Sequence, residues 1–213
     1  MIITWYGQSC FKIQSKDTTI VTDPFDKSIG LKPYAGGADV VTVSHSHYDH
    51  NNVGALRGAP FVINTPGEYE IKNIFINGLS SFHDKKSGAE RGLNTIYVFE
   101  AEDMRVCHLG DLGEILSDKA IDNLGQVDIL MVPVGGVYTI DAKEASELID
   151  RIEPSIVLPM HYKIPTVNIK FDPLDKFLSA RGTKSKEAMD HLTIKKKELV
   201  AEENKVIVLA PAH

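Results

Sequence analysis

The sequence predicts an α/β protein: a four-layer sandwich of two mixed β-sheets packed face to face, with helices outside. Three observations carry that expectation. Short β-branched runs crowd the first half, strands alternate with helical periods in the second, and ligand-type side chains follow directly on apolar runs.

In the first half, Ile2–Trp5, Cys10–Gln14 and Thr18–Thr22 read as strands of a meander, separated by Gly7 and by Ser15-Lys16-Asp17. Residues 25–37 hold Gly30, Pro33, Gly36 and Gly37 and read as a long loop. Asp39–Val43 is a buried strand, Asn51–Leu56 a short helix stopped by Gly58. Phe61–Ile63, Glu68–Ile71 and Asn73–Asn77 are further strands, and Asn94–Phe99 with Met104–Leu109 make a hairpin. In the second half, Ser117 caps a helix to Leu124 that Gly125 closes. Val127–Val132 is a continuous apolar strand. Asp141 with Glu144 forms a capping box, and Ala145, Leu148, Ile149 and Ile152 recur at helical spacing before Pro154. Ser155–Leu158 is a strand, Pro173 opens a helix to Arg181, and Val206–Leu209 is the last strand. No repeat or linker divides the chain, so residues 1–213 are expected to form one domain with ample length for a core.

Composition narrows the function classes. The net charge of -6 disfavours non-specific nucleic-acid binding, and the Lys195–Lys197 run reads as a solvated face. No apolar run approaches the roughly 18–20 residues of a membrane span, and no basic and apolar leader is visible. Two cysteines, Cys10 and Cys107, are too few for a disulfide scaffold; they suit a reducing, cytoplasmic setting and read as buried small hydrophobes. The expected partner is a small-molecule substrate, with no membrane and no nucleic acid, and with a homo-oligomer left open.

The densest chemistry lies in His45-Ser46-His47-Tyr48-Asp49-His50, an H-x-H-x-D-H motif after a buried strand. Imidazole nitrogen and carboxylate oxygen are ligands for zinc, manganese or iron, and the absence of a nearby thiol argues against a structural zinc knuckle. His45 and His47 could grip one ion, Asp49 and His50 a second. Other ligands would follow other strands: His83, Asp111 after Gly110, and His161 after Pro159-Met160. A carboxylate can bridge two cations, and Asp111 is the best candidate outside the motif. His45, Asp111 and His161 would all lie beyond the carboxyl ends of strands, where α/β proteins gather ligands.

The order H-x-H-x-D-H, His, Gly-Asp, His resembles the metallo-β-lactamase superfamily, within it the metal-dependent hydrolases that include ascorbate-6-phosphate lactonase-like proteins. The likeness extends through Ile3-Thr4-Trp5-Tyr6-Gly7-Gln8-Ser9-Cys10-Phe11, Val21-Thr22-Asp23-Pro24, Arg91-Gly92-Leu93-Asn94-Thr95, His108-Leu109-Gly110-Asp111-Leu112-Gly113 and Pro133-Val134-Gly135-Gly136, nearly the whole chain. It implies a metallo-β-lactamase-like αββα sandwich with a dinuclear site. His45, His47 and His83 would bind one ion, Asp49, His50 and His161 the other, with Asp111 bridging. Similar proteins commonly carry His where this chain has Gln8.

The chemistry implied is hydrolysis: a metal-bound hydroxide attacks a carbonyl or phosphoryl centre, and Asp49, the catalytic residue, holds the water and takes its proton. The cofactors would be two divalent transition-metal ions, zinc first, manganese or iron as alternatives. A lactone or ester of a small polar metabolite is the leading substrate. A phosphodiester, as in nucleases, is the alternative, and a non-catalytic metal-binding or regulatory protein is the alternative of another class. A diiron oxidoreductase commonly has a carboxylate where this chain has His47. Asp23 either orients a ligand or shapes a turn, and His108 either supports Asp111 or is structural. Tyr138 either reaches substrate or packs. Asp84 and Glu68 are weaker candidates, while His191 and His213 are expected to be exposed.

Overall fold

Turns at Gln8-Ser9 and Lys16-Asp17 fold the first three apolar runs back on one another. The resulting β1 (Ile2–Gly7), β2 (Cys10–Ser15) and β3 (Thr18–Thr22) pair antiparallel. A long loop follows, and β4 (Val40–Thr42) and β5 (Phe61–Ile63) then join in parallel. β6 (Gly67–Ile71), β7 (Ile74–Phe82), β8 (Leu93–Ala101) and β9 (Met104–His108) begin a second sheet as antiparallel neighbours. The chain continues through α1 (Asp118–Leu124), β10 (Ile129–Pro133), α2 (Ala142–Ile152), β11 (Ile156–Met160) and α3 (Leu174–Ala180). β12 (Leu192–Thr193) edges the first sheet and β13 (Lys205–Val206) the second. The sheet orders are β12-β1-β2-β3-β4-β5 and β13-β11-β10-β9-β8-β7-β6. This computed structural model describes residues 1–183 and 187–212.

The two mixed sheets are those the sequence predicts. α1 and α2 are crossovers between parallel neighbours β9, β10 and β11, so they cover a face of the second sheet. Both expected caps form: Ser117 Oγ accepts from Ala120 N, and Asp141 and Glu144 complete a capping box. The first sheet is buried on both faces at its central strands β3 and β4, as alternation along them shows. Ile20, Val40 and Ile63 enter the large core shared with the second sheet. Val21 and Val41 point the other way, into a smaller cluster with Phe25, Ile29, Val167 and Phe171 from the loops.

Four local expectations change. Asn51–Leu56 is not an α-helix: only Val53–Ala55 makes a 3-10 turn, Asn52 makes no side-chain capping bond, and its Nδ2 ties the segment to the Phe25 carbonyl. The strand expected to end at Asn77 runs on to Phe82, because Gly78 lets Tyr97 of β8 close over it; a Cβ there would stand 3.1 Å from the Tyr97 ring. The last strand shortens to Lys205–Val206, and β12 has too few residues to show in sequence. The Lys195–Lys197 run is exposed, but Lys196 reaches Asp128 at 2.8 Å. Among the described residues no helix is long and apolar enough to cross a membrane.

Topology places the ligands. β7 and β9 are each antiparallel to β8, so they run together with β10 and β11. The residues following β7, β9 and β11 therefore emerge at one edge of the second sheet, facing the residues after β4 of the first. The sheets are tied at that edge by Tyr97, whose buried hydroxyl lies 3.0 Å from the Val43 carbonyl and 3.2 Å from that of Ile63. Tyr97→Phe is expected to cost about 1–2 kcal/mol, because the buried Val43 carbonyl loses its donor while that of Ile63 keeps the Val43 N–H. Urea unfolding checks this: an unchanged midpoint would show that the hydroxyl does not join the sheets.

Candidate metal centre

The seven predicted ligands converge. Asp111 Oδ2 lies 3.1 Å from His161 Nε2, 3.2 Å from His50 Nε2, 3.5 Å from His83 Nε2 and 4.0 Å from His45 Nε2. Donor atoms of His45, His47 and His83 lie within 4.8 Å of one another, as do those of Asp49, His50 and His161. The resemblance implies these two triads as ligand sets; donor atoms of Asp23, His45 and His50 form a third group of the same kind. His50, His83, Asp111 and His161 are buried, whereas His47 is exposed at the mouth.

Backbone form sets these positions. His161 sits at φ 55° directly after β11, a left-handed turn that ends the strand with its Nε2 3.1 Å from Asp111. Gly110, at φ 56°, lets β9 turn sharply into Asp111; a Cβ there would fall 2.4 Å from Asn94 Oδ1 and 2.6 Å from Ser44 Cβ.

Around the donors stands a ring of polar residues that fixes their orientation. Asp23, fully buried, accepts from Ser44 N and Ser44 Oγ at 2.7 and 2.6 Å, and lies 3.0 Å from His50 Nδ1. Ser44 Oγ is also 2.9 Å from His45 Nδ1. Since Ser44 gives its proton to Asp23, both imidazoles carry theirs on Nδ1 and direct an Nε2 lone pair at the cluster. Those two Nε2 atoms are buried with no hydrogen-bond partner, which is the chemistry of nitrogens shaped for a cation. Asp111 is held by Asn94 Oδ1 on its backbone N–H (2.9 Å) and by Ser9 Oγ on its Oδ1 (3.2 Å). Gln8 Nε2 donates to Asp49 Oδ2 at 3.1 Å, and the Gln8 carbonyl accepts from His161 N at 3.2 Å.

The electrostatics match a cation site. Burial, then the neighbouring His50, drives the His45 imidazole down to about 2; burial likewise lowers His83. Both are neutral and ready to ligate. Burial also works against a charge on His50, but the Asp111 and Asp23 carboxylates outweigh it and hold that imidazole raised. Burial opposes ionisation of Asp111, and His161 and His50 overcome it, keeping the carboxyl well below its ordinary value.

Comparison with known proteins agrees with this geometry. Residues 2–161 match the family described as a beta-lactamase superfamily domain. A UPF0173 protein of Pyrococcus abyssi is 32% identical over 76% of this chain and 83% of its own. A UPF0173 metal-dependent hydrolase of Thermoplasma volcanium is 28% identical over 81% and 87%. A solved structure from Thermotoga maritima, named for a Zn-dependent hydrolase of the metallo-β-lactamase superfamily, superposes with a TM-score of 0.81 at 39% identity, covering 98% of this chain and 97% of its own. The chain belongs to the metallo-β-lactamase superfamily, in its UPF0173 family. It is a metal-dependent hydrolase with a His/Asp cluster able to bind metal.

The remaining polar residues of this UPF0173 chain sort by contact. Asp23 orients donors. His108 does not touch Asp111; its Nε2 is 2.8 Å from the Ser9 carbonyl, so it steadies the residue that does. Asp84 folds the loop after His83 by accepting backbone N–H bonds from Lys86, Gly88, Glu90 and Arg91. Burial raises its pKa, but those four bonds prevail and bring it to about 2. Glu68 and His191 are exposed, away from the cluster; His213 lies outside the described residues. Sequence reasoning missed Ser9, Ser44 and Asn94, which are ordinary strand or loop residues with no ligand spacing. Asp23→Asn keeps the shape but removes the charge behind His50, and is expected to weaken metal affinity by about 10–100-fold. Competition against a chromophoric chelator measures it; an affinity equal to wild type, in folded protein, contradicts the role.

Proposed function

We propose that this hydrolase cleaves a lactone or ester of a small polar metabolite at a centre of two divalent transition-metal ions, zinc first and manganese or iron otherwise. His45, His47 and His83 would hold one ion, Asp49, His50 and His161 the other, and Asp111 would bridge them. The observation that carries this reading is the meeting of both donor triads at the Asp111 carboxylate, on the wall of a cavity of about 320 Å³. When bound, the two ions acidify a water and polarise the scissile carbonyl oxygen.

The chain supplies position and proton handling. Gln8 holds Asp49 by Oδ2, which leaves Oδ1 to take a proton from water at the cavity wall. Tyr48, Tyr138 and Ile169 line the same cavity. The cavity stands at the small end of ligand pockets, which supports a small metabolite. Among the described residues Arg91 is the single lysine or arginine lining it, which argues against a nucleic-acid backbone as substrate. No thiol chemistry competes, because burial pushes the Cys107 thiol up to about 12 and raises that of Cys10 well above its usual value.

Reconstituted wild-type protein is expected to retain up to two ions per chain after dialysis, and Asp111→Ala to lose both; elemental analysis decides, and a wild-type protein free of metal sinks the proposal. Metal-loaded enzyme screened against lactones, esters and phosphodiesters should turn over the first two classes, whereas turnover of phosphodiesters alone would transfer the assignment to them. On a turned-over substrate, Asp49→Asn should lower kcat by about a hundredfold or more with a smaller change in KM. Cys107→Ser should leave kcat largely intact, and a comparable collapse in that variant would revive a thiol mechanism.

A further inference from the structure

The metal cluster and its supporting ring leave one charged side chain of the cavity without a task. Arg91 lines the cavity half-buried, its guanidinium carbon 5.1 Å from the centre of the Tyr138 ring. The acids nearest to it in sequence are engaged elsewhere: Asp84 by four backbone N–H groups, Glu90 by Lys86 Nζ at 2.6 Å. Asp49 faces Gln8 and His50, and Asp111 faces the imidazoles. Among the described residues Arg91 forms no ion pair.

Its placement is nevertheless fixed. The Arg91 N–H donates to Asp84 Oδ2 at 2.7 Å, and the adjacent Gly92 carbonyl accepts from His83 N at 3.0 Å. One loop thus sets both a candidate ligand and the guanidinium. Tyr138, beneath the guanidinium, is braced edge-on by Phe171, whose ring lies 4.4 Å from that of His161. A guanidinium resting on an aromatic face keeps its in-plane N–H donors free for a partner.

We infer that Arg91 receives a carboxylate of the substrate, so that the molecule cleaved at the metal centre is anionic at an end remote from the scissile bond. This rests on the proposed hydrolysis at the metal centre and specifies its substrate. The planar fork of one arginine matches a carboxylate through two parallel hydrogen bonds. A phosphate monoester dianion calls for a second cation, and among the described residues the cavity lining has none apart from the histidines.

The test is calorimetric titration of metal-loaded wild-type, R91K and R91Q proteins with one-headed and two-headed anions: acetate against malonate and succinate, methylphosphonate against methylenediphosphonate. A dicarboxylate should bind wild type about tenfold tighter than acetate, the worth of one added charge-assisted contact. R91Q should lose that gain while keeping its acetate affinity and metal content, and R91K should keep part of it. A dicarboxylate gain that is absent in wild type, or that survives in R91Q, overturns the inference. A larger Arg91-dependent gain for the diphosphonate overturns the carboxylate in favour of phosphate. Elemental analysis separates the two levels: protein that takes up no metal overturns the centre and the inference with it, whereas metal-loaded protein without the gain overturns the inference alone.

Discussion

The Asp111 carboxylate, buried among four imidazoles, is the constraint on which the rest of the arrangement depends. A carboxylate in that position is costly unless positive charge surrounds it and hydrogen bonds fix it. Both conditions draw on distant parts of the chain. Asn94 in β8 grips its backbone, Ser9 from the β1–β2 turn takes one oxygen, and the imidazoles come from after β4, β7 and β11. The first and second sheets therefore meet chemically at one residue, as well as through their apolar faces. Gly110 is the local condition for this, since any side chain there would strike Asn94 and Ser44.

A hierarchy of supports follows. Asp23 stands behind two donors at once: it faces His50 Nδ1 directly and reaches His45 through Ser44. Gln8 does the corresponding task on the other side, linking Asp49 by its side chain and His161 by its carbonyl. Both residues adopt left-handed backbone, φ 40° for Asp23 and 50° for Gln8, so the chain accepts local strain where it aims a polar group at the cluster. The amide of Gln8 cannot exchange a proton as an imidazole would, which leaves proton transfer in the proposed reaction to Asp49.

What could be read in the sequence was whatever is local. H-x-H-x-D-H shows because its ligands are adjacent, and Asp111 and His161 show because each follows a buried strand within three residues. Helix ends at Ser117, Gly125 and Asp141 show because capping is chemistry within a few residues. Ser9, Ser44, Asn94 and Arg91 do not show, because each acts through a partner brought near only by the fold; Ser9 and Asp111 are 102 positions apart. The helix expected over Asn51–Leu56 misled for the same reason: within it the Asn52 side chain makes no cap and answers to the Phe25 carbonyl in a distant loop. The two-residue strands β12 and β13 gain their form from neighbours, not from their own pattern.

The bridging role of Asp111 is most directly tested by diffraction from crystals soaked in zinc, recorded on either side of the zinc absorption edge. Two anomalous peaks are expected per molecule, one among His45, His47 and His83, the other among Asp49, His50 and His161, with the Asp111 carboxylate between them. One peak at either triad alone, or peaks that leave Asp111 uncoordinated, would contradict it.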